Sequence, residues 1–128
     1  MSIGQSALSS PIERRIHKRL PISGRIPAVL LDERGISHSF IGVDISNQGM
    51  GLVLNYSPEL GSTLRLQLES PVTFVVGVAI SELVFVVKWA VDKTEGHKLR
   101  RVGLRSEVEQ HDLIEVFKRF DSVLIEES

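Results

Sequence analysis

The chain has 128 residues, 42% of them hydrophobic and 24% charged. That is enough for one domain with a real core, too few for two of ordinary size, and too apolar for disorder throughout. The absence of cysteine excludes disulfides, thiolate nucleophiles and zinc–thiolate sites, and the net charge of −1 excludes a global field for DNA or an anionic membrane, so any anion site must be local.

Residues 1–12 are small and polar, end near Pro11, and read as a flexible lead-in without the basic start and apolar stretch of a signal peptide. Residues 13–20, "ERRIHKRL", form a basic run. Pro21, Gly24 and Pro27 then forbid a long helix. "RIPAVLL" is a strand candidate and "DERG" a turn, with Gly35 free to take positive φ. "ISHSFIGVDIS" and "MGLVL" are strands joined by "NQG". "STLRLQLES" alternates Leu64, Leu66 and Leu68 against Arg65, Gln67 and Glu69, the pattern of a half-buried strand.

The run "PVTFVVGVAISELVFVVKWAV" resembles a membrane span in hydropathy, but Glu82 and Lys88 interrupt it. A central Lys alone costs about 2.5–3.5 kcal/mol in a bilayer. Two buried strands meeting near Ser81 are expected instead. "KLRRVGLRS" follows as a strand after the hairpin-like "DKTEGH". Leu113, Val116, Phe117, Phe120, Val123 and Leu124 recur at three-and-four spacing, which predicts a helix over residues 108–126. Short antiparallel strands with one terminal helix make a small, mainly β barrel, soluble and cytoplasmic, whose open end or side the helix covers.

The chemistry is sparse. His17, His38, His97 and His111 have no zinc-ligand spacing, and no Ser/His/Asp elbow, P-loop or GxGxxG occurs. Acidic pairs such as Asp112 with Glu115 read as solvated helix surface. No enzyme, metal or cofactor is expected.

Two features remain. Arg15 and Arg19 lie four residues apart in the basic run. Guanidinium forks grip phosphates and the O6/N7 edge of guanine, although such runs are also common as solvated tails. "DISNQG" supplies Asp44, Ser46 and Gly49. Its plain reading is a strand-ending turn in which Gly takes a conformation other residues resist. Its functional reading is a carboxylate that accepts from guanine N1–H and N2–H₂. Arginines for phosphate with an acid for the donor edge describe a guanine nucleotide ligand.

Arg15-Ile-His-Lys-Arg19 followed by Asp44-x-Ser46-x-x-Gly49 resembles the paired signature of PilZ domains, bacterial receptors for cyclic di-GMP. The preceding Glu13-Arg14 and the later "VVKWAV…RVGLR" extend the likeness over residues 13 to 105. Arg105 departs from it, standing where the family usually has an aromatic residue. The resemblance implies a six-stranded antiparallel β-barrel with a C-terminal α-helix. It divides the chain into an arm over 13–20, a barrel over 25–105 and a helix over 108–126. It implies cyclic di-GMP, one copy or an intercalated pair, as ligand. Arg15 and Arg19 would hold phosphates and guanine edges, Asp44 the guanine donor edge, and Ser46 a phosphate or base. Gly49 would permit the turn, and Arg14 would add a contact that suits the pair.

Trp89 reads first as core, with a guanine flank as the alternative. Without ligand, Arg14, Arg15, Lys18, Arg19 and Arg25 should repel one another and leave the arm mobile. Ligand would order the arm with micromolar affinity, about −8 kcal/mol, and signal to an unidentified protein effector in trans. The alternative is an adaptor that keeps the scaffold and acts independently of cyclic di-GMP. A nucleic-acid role is disfavoured by the near-neutral charge and by a single Trp and a single Tyr.

Overall fold

The computed structural model describes residues 18–73, 77–92, 99–107 and 112–126. Nine strands are formed among them. They are β1 Leu20–Gly24, β2 Ala28–Leu31, β3 Ser37–His38, β4 Phe40–Ile45, β5 Gly49–Leu54, β6 Thr63–Thr73, β7 Ala79–Asp92, β8 Arg100–Ser106 and β9 Val123–Ile125, with one helix, α1 Leu113–Phe117, before β9. They hydrogen-bond in the order β3-β2-β6-β7-β8-β5-β4-β1-β9, and every pairing is antiparallel. The result is a curled sheet, a half-barrel, as the mainly β reading anticipates. The larger strand count comes from short pieces: β1 lies partly inside the expected arm, and Ser39 divides one expected strand into β3 and β4.

Leucine alternation sets which face of β6 is inside. Leu64, Leu66 and Leu68 are buried, while Gln67 and Glu69 are exposed. Each such leucine contributes roughly 1.5–3 kcal/mol on burial. They meet Leu52, Leu54, Phe85, Val87, Val102 and Leu104 in one core. The apolar run does not divide at Ser81. β7 passes through Ser81 and Glu82 without a break, and the reversal lies earlier, beside Gly77 at φ 82°. Ser81 and Glu82 are both exposed where the β6–β7 register shifts between Gln67 and Val72. An irregularity on the partner strand, not a strand end, interrupts the apolar pattern.

The C-terminal element departs most from expectation. The helix over 108–126 is reduced to one turn, Leu113–Phe117, capped by Asp112, whose carboxylate accepts from the Ile114 N–H. Residues 108–111 lie outside the described residues. After Phe120 the chain turns back, and Val123–Ile125 pair with Ile22–Gly24 of β1. Ser122 Oγ donates to the Arg25 carbonyl at 2.6 Å. Gly24 has φ 96° and lies where a Cβ would strike the Ser122 carbonyl, so only glycine suits this crossing. Val123 and Ile125 are β-branched, which favours a strand over another helical turn, and β1 offers an edge for them to pair with. Leu113, Val116, Phe117 and Phe120 are buried as the stripe predicts, whereas Leu124 is exposed.

The β2–β3 turn is built on a buried acid. Asp32 is 2% exposed. Its carboxylate accepts from the N–H groups of Arg34 and Ile36 at 2.8 and 3.0 Å and contacts His38 Nε2 at 2.9 Å. His38 stacks on Tyr56 with ring centroids 3.8 Å apart. The His38 hydrogen bond, helped by the two backbone donors against the cost of burial, lowers the Asp32 pKa to about 2. Burial pushes the Tyr56 phenol up. Gly35, at φ 80°, takes the conformation the sequence assigns it.

Candidate functional site

Leu20 is buried and pairs with Ile45. Arg19, one residue before it, is therefore delivered to the outer face of β4, where Nη1 lies 3.1 Å from Asp44 Oδ1. Asp44 follows a register shift in the β4–β5 ladder between Gly42 and Asp44. Ile45 stays in the core. The irregularity aims the Asp44 carboxylate along the outside of the sheet.

A second shift, between Val87 and Trp89 on β7, does the same on the other side. Val87 is buried, yet Lys88 and Trp89 are both exposed, Trp89 by 38%. Trp89 is thus a surface residue and not core. Its expected core role presumes unbroken alternation, which this shift removes.

Between the two irregular strands lie two glycines. Asp44 is opposite Gly51, Gly51 opposite Gly103, and Gly103 opposite Trp89, so one row crosses β4, β5, β8 and β7. A Cβ on Gly51 would sit 2.6 Å from Asp44 Oδ1, and one on Gly103 would fall within the Trp89 indole. The carboxylate and the ring therefore lie down over side-chain-free backbone. Arg101, two residues before Gly103 on the same face of β8, reaches over the row. Its Nη2 is 2.9 Å from Asp44 Oδ2, and its Cζ is 6.0 Å from the centre of the Trp89 ring.

The "DISNQG" turn forms the adjoining wall. The Ser46 N–H donates to the Gly49 carbonyl at 2.8 Å. Ser46 is 4% exposed, and its hydroxyl makes two long contacts of 3.4 Å within the turn, to the Gly49 carbonyl and the Gln48 N–H. Gly49 does not have positive φ. It is required for another reason: a Cβ there would strike the Leu104 carbonyl of β8. The expected turn role of Gly49 is thereby corrected to close strand approach.

Arg19, Ser46, Gln48, Gly49, Lys88, Trp89, Gly103, Leu104 and Arg105 line an open surface cavity of about 290 Å³. Asp44 lies at its edge through its bond to Arg19. Arg19, Asp44, Ser46, Gly49 and Trp89 are thus gathered from three separated stretches of chain, while Arg14 and Arg15 lie outside the described residues. Lys88, Gln48 and Arg101 complete the site and were not singled out by sequence reasoning. The alternation of "RRVGLRS" offered a signal, since Val102 and Leu104 face the core and leave Arg101 and Arg105 outward. Gln48 Oε1 and Arg101 Nε are buried side-chain atoms that lack a hydrogen-bond partner among the described residues. Both border the site, where an unfilled acceptor and donor suit a polar ligand.

The repulsive cation cluster is also corrected in part. Arg19 is paired with Asp44, and Arg25 with Glu69. The site consequently holds a carboxylate already bracketed by two guanidiniums, an indole beside it, and an exposed ammonium at Lys88. That set suits an anion carrying an aromatic base. Among the described residues no cluster fit to hold a metal ion is found, and no helix is long and apolar enough to cross a membrane.

No curated protein and no solved structure matches the chain. The model of the PilZ domain matches residues 13–120, a span that contains both irregular strands, the double-glycine row and the arginine arm. The chain belongs to the PilZ domain family, a family of cyclic di-GMP-binding receptors.

Proposed function

We propose that this chain binds cyclic di-GMP in the cavity beside Asp44, and that binding re-sets its N-terminal arm for a protein partner in trans. The observation that carries the reading is the convergence of Arg19, Asp44, Ser46, Gly49 and Trp89 on one surface site. Asp44 accepts from the guanine donor edge, Arg19 transfers to a phosphate or guanine acceptor edge, and Trp89 flanks a base. Arg14 and Arg15, immediately upstream, add cations for the phosphates of one ligand or of an intercalated pair.

In this mechanism Arg19 is a latch. It holds Asp44 at 3.1 Å, and its connection to β1 through buried Leu20 means that its release or retention acts directly on the end of the arm that joins the sheet. A charge-assisted hydrogen bond contributes roughly 1.5–3 kcal/mol, so several suffice for micromolar affinity, about −8 kcal/mol, after the arm's ordering entropy. The output is an altered surface around residues 13–20. Protein as purified should bind cyclic di-GMP in isothermal calorimetry, and Arg19→Ala should weaken that binding about tenfold or more. Heat-silent titration of the parent, or an Arg19→Ala variant that binds as the parent does, would sink the assignment.

A further inference from the structure

Arg101 lies outside both signature motifs, yet it is the residue that touches the two sides of the glycine row. Its guanidinium Nη2 is 2.9 Å from Asp44 Oδ2, while its Cζ stands 6.0 Å from the centre of the Trp89 ring. Its backbone sits in β8, paired with Val53 of β5 and Val91 of β7, so it is anchored within the sheet and not on the arm. Arg19, the other partner of Asp44, is exposed and directly precedes β1.

The two arginines therefore divide the carboxylate between them, one oxygen each. An aspartate on an exposed face has freedom about both side-chain torsions. Over Gly51 no side chain limits those torsions. A carboxylate that must meet two parallel N–H donors of a base needs one fixed plane. Arg101 supplies a fixed donor from the sheet, on the oxygen that Arg19 does not use, and its guanidinium keeps that geometry better than a lysine ammonium would.

We infer that Arg101 is a positioning residue for base selectivity: its contacts with Asp44 and Trp89 hold the carboxylate in the plane that reads both donors of guanine. The inference rests on the proposed cyclic di-GMP site. It predicts that loss of Arg101 weakens discrimination between bases more than it weakens binding of the dinucleotide backbone.

The test is calorimetry of the full chain with cyclic di-GMP and with cyclic di-inosine monophosphate, which lacks the N2 amino group. The parent should prefer the guanine ligand by roughly tenfold or more, one charge-assisted hydrogen bond's worth. Arg101→Gln should reduce that preference to about twofold while retaining binding of the inosine ligand, and Arg101→Lys should fall between. The double variant with Asp44→Ala should be no less selective than Asp44→Ala alone, because the two residues act as a unit. A thermal melt of each variant confirms folding. An unchanged preference in Arg101→Gln overturns the inference, as does equal loss of both ligands, which is what a bare charge contact or a merely structural role gives. A parent that binds guanine and inosine ligands equally overturns it while leaving the site intact. A parent that binds neither overturns the functional reading and the inference with it.

Discussion

Two aspartates anchor two clusters of similar composition in this half-barrel, and they do opposite things. Asp32 is buried at 2% exposure and receives two N–H groups from its own turn, with His38 and stacked Tyr56 alongside. Asp44 stands on the outer face and receives no backbone donor among the described residues. It is held by Arg19 and Arg101, 25 and 57 residues away in sequence, with Trp89 alongside. Both clusters combine an acid, a basic side chain and an aromatic ring. The first is closed by local backbone, so exchanging any partner leaves buried groups unpaired. The second is closed by side chains, one of them on the arm, so partners exchange without exposing backbone donors. The source of the donors, local backbone or distant side chain, separates the structural acid from the one proposed to meet ligand.

The sharpest way to break this contrast is to remove each acid in turn. Asp32→Ala leaves two backbone N–H groups and His38 without their acceptor and should cost about 3 kcal/mol of folding stability. That corresponds to a fall of roughly 10 °C in thermal midpoint, measured by calorimetric scanning, with ligand affinity unaltered below the transition. Asp44→Ala should do the reverse. Thermal stability should change by less than about 1 kcal/mol, as for other partly exposed ion pairs. Affinity for cyclic di-GMP should fall by about 2 kcal/mol, near thirtyfold. Equal stability losses in the two variants would erase the distinction.

How much of this is legible in sequence follows from the same distinction. Asp44, Ser46 and Gly49 lie within one short turn, and Arg15 and Arg19 within one run, so their spacing alone marks them. The row Asp44–Gly51–Gly103–Trp89 spans four strands and is created by register. No local pattern encodes the pairing of β5 with β8, which are far apart in sequence, and the shift beside Trp89 reverses that residue's expected facing. The alternation of "RRVGLRS" turns Arg101 outward, but only register sets it beside Asp44 and Trp89. The C-terminal segment failed differently. Leu113, Val116, Phe117 and Phe120 satisfy a helical stripe, and Val123 extends it, yet Val123 and Ile125 satisfy a strand equally well. The free edge of β1 decides between them, and that edge exists only once the sheet has formed.

A smaller perturbation probes the floor beneath the Asp44 cluster. The Cβ added by Gly103→Ala falls within the Trp89 indole, but that ring is partly exposed and free to swing outward. We therefore expect a stability loss of about 1 kcal/mol, at the low end for overpacking, and a several-fold weaker ligand. Trp89 is the chain's single tryptophan, so its fluorescence reports directly. Emission should shift to longer wavelength as the ring moves into water, and ligand should no longer alter it. An unshifted spectrum would show that the indole does not lie on Gly103.

The smallest effect is one of slope, and it belongs to the structural acid. The Asp32 carboxyl is lowered from an ordinary 3.8 to about 2, chiefly by the His38 hydrogen bond. A carboxylate whose folded value lies below its unfolded value binds protons more readily when unfolded. Its stabilisation is complete above about pH 5 and is lost as pH falls toward 2. Asp32→Asn keeps the shape but removes the charge and its titration. The gap in thermal midpoint between parent and Asp32→Asn should be constant from pH 7 to about 5 and should narrow steadily from there to pH 2.5. His38→Phe retains a ring to stack on Tyr56 and removes the largest cause of the lowered value, so its parent-to-variant gap should narrow over the same interval. A gap that widens toward acid would mean that the charge of Asp32 opposes folding, and the closed cluster would then owe its order to its backbone donors alone.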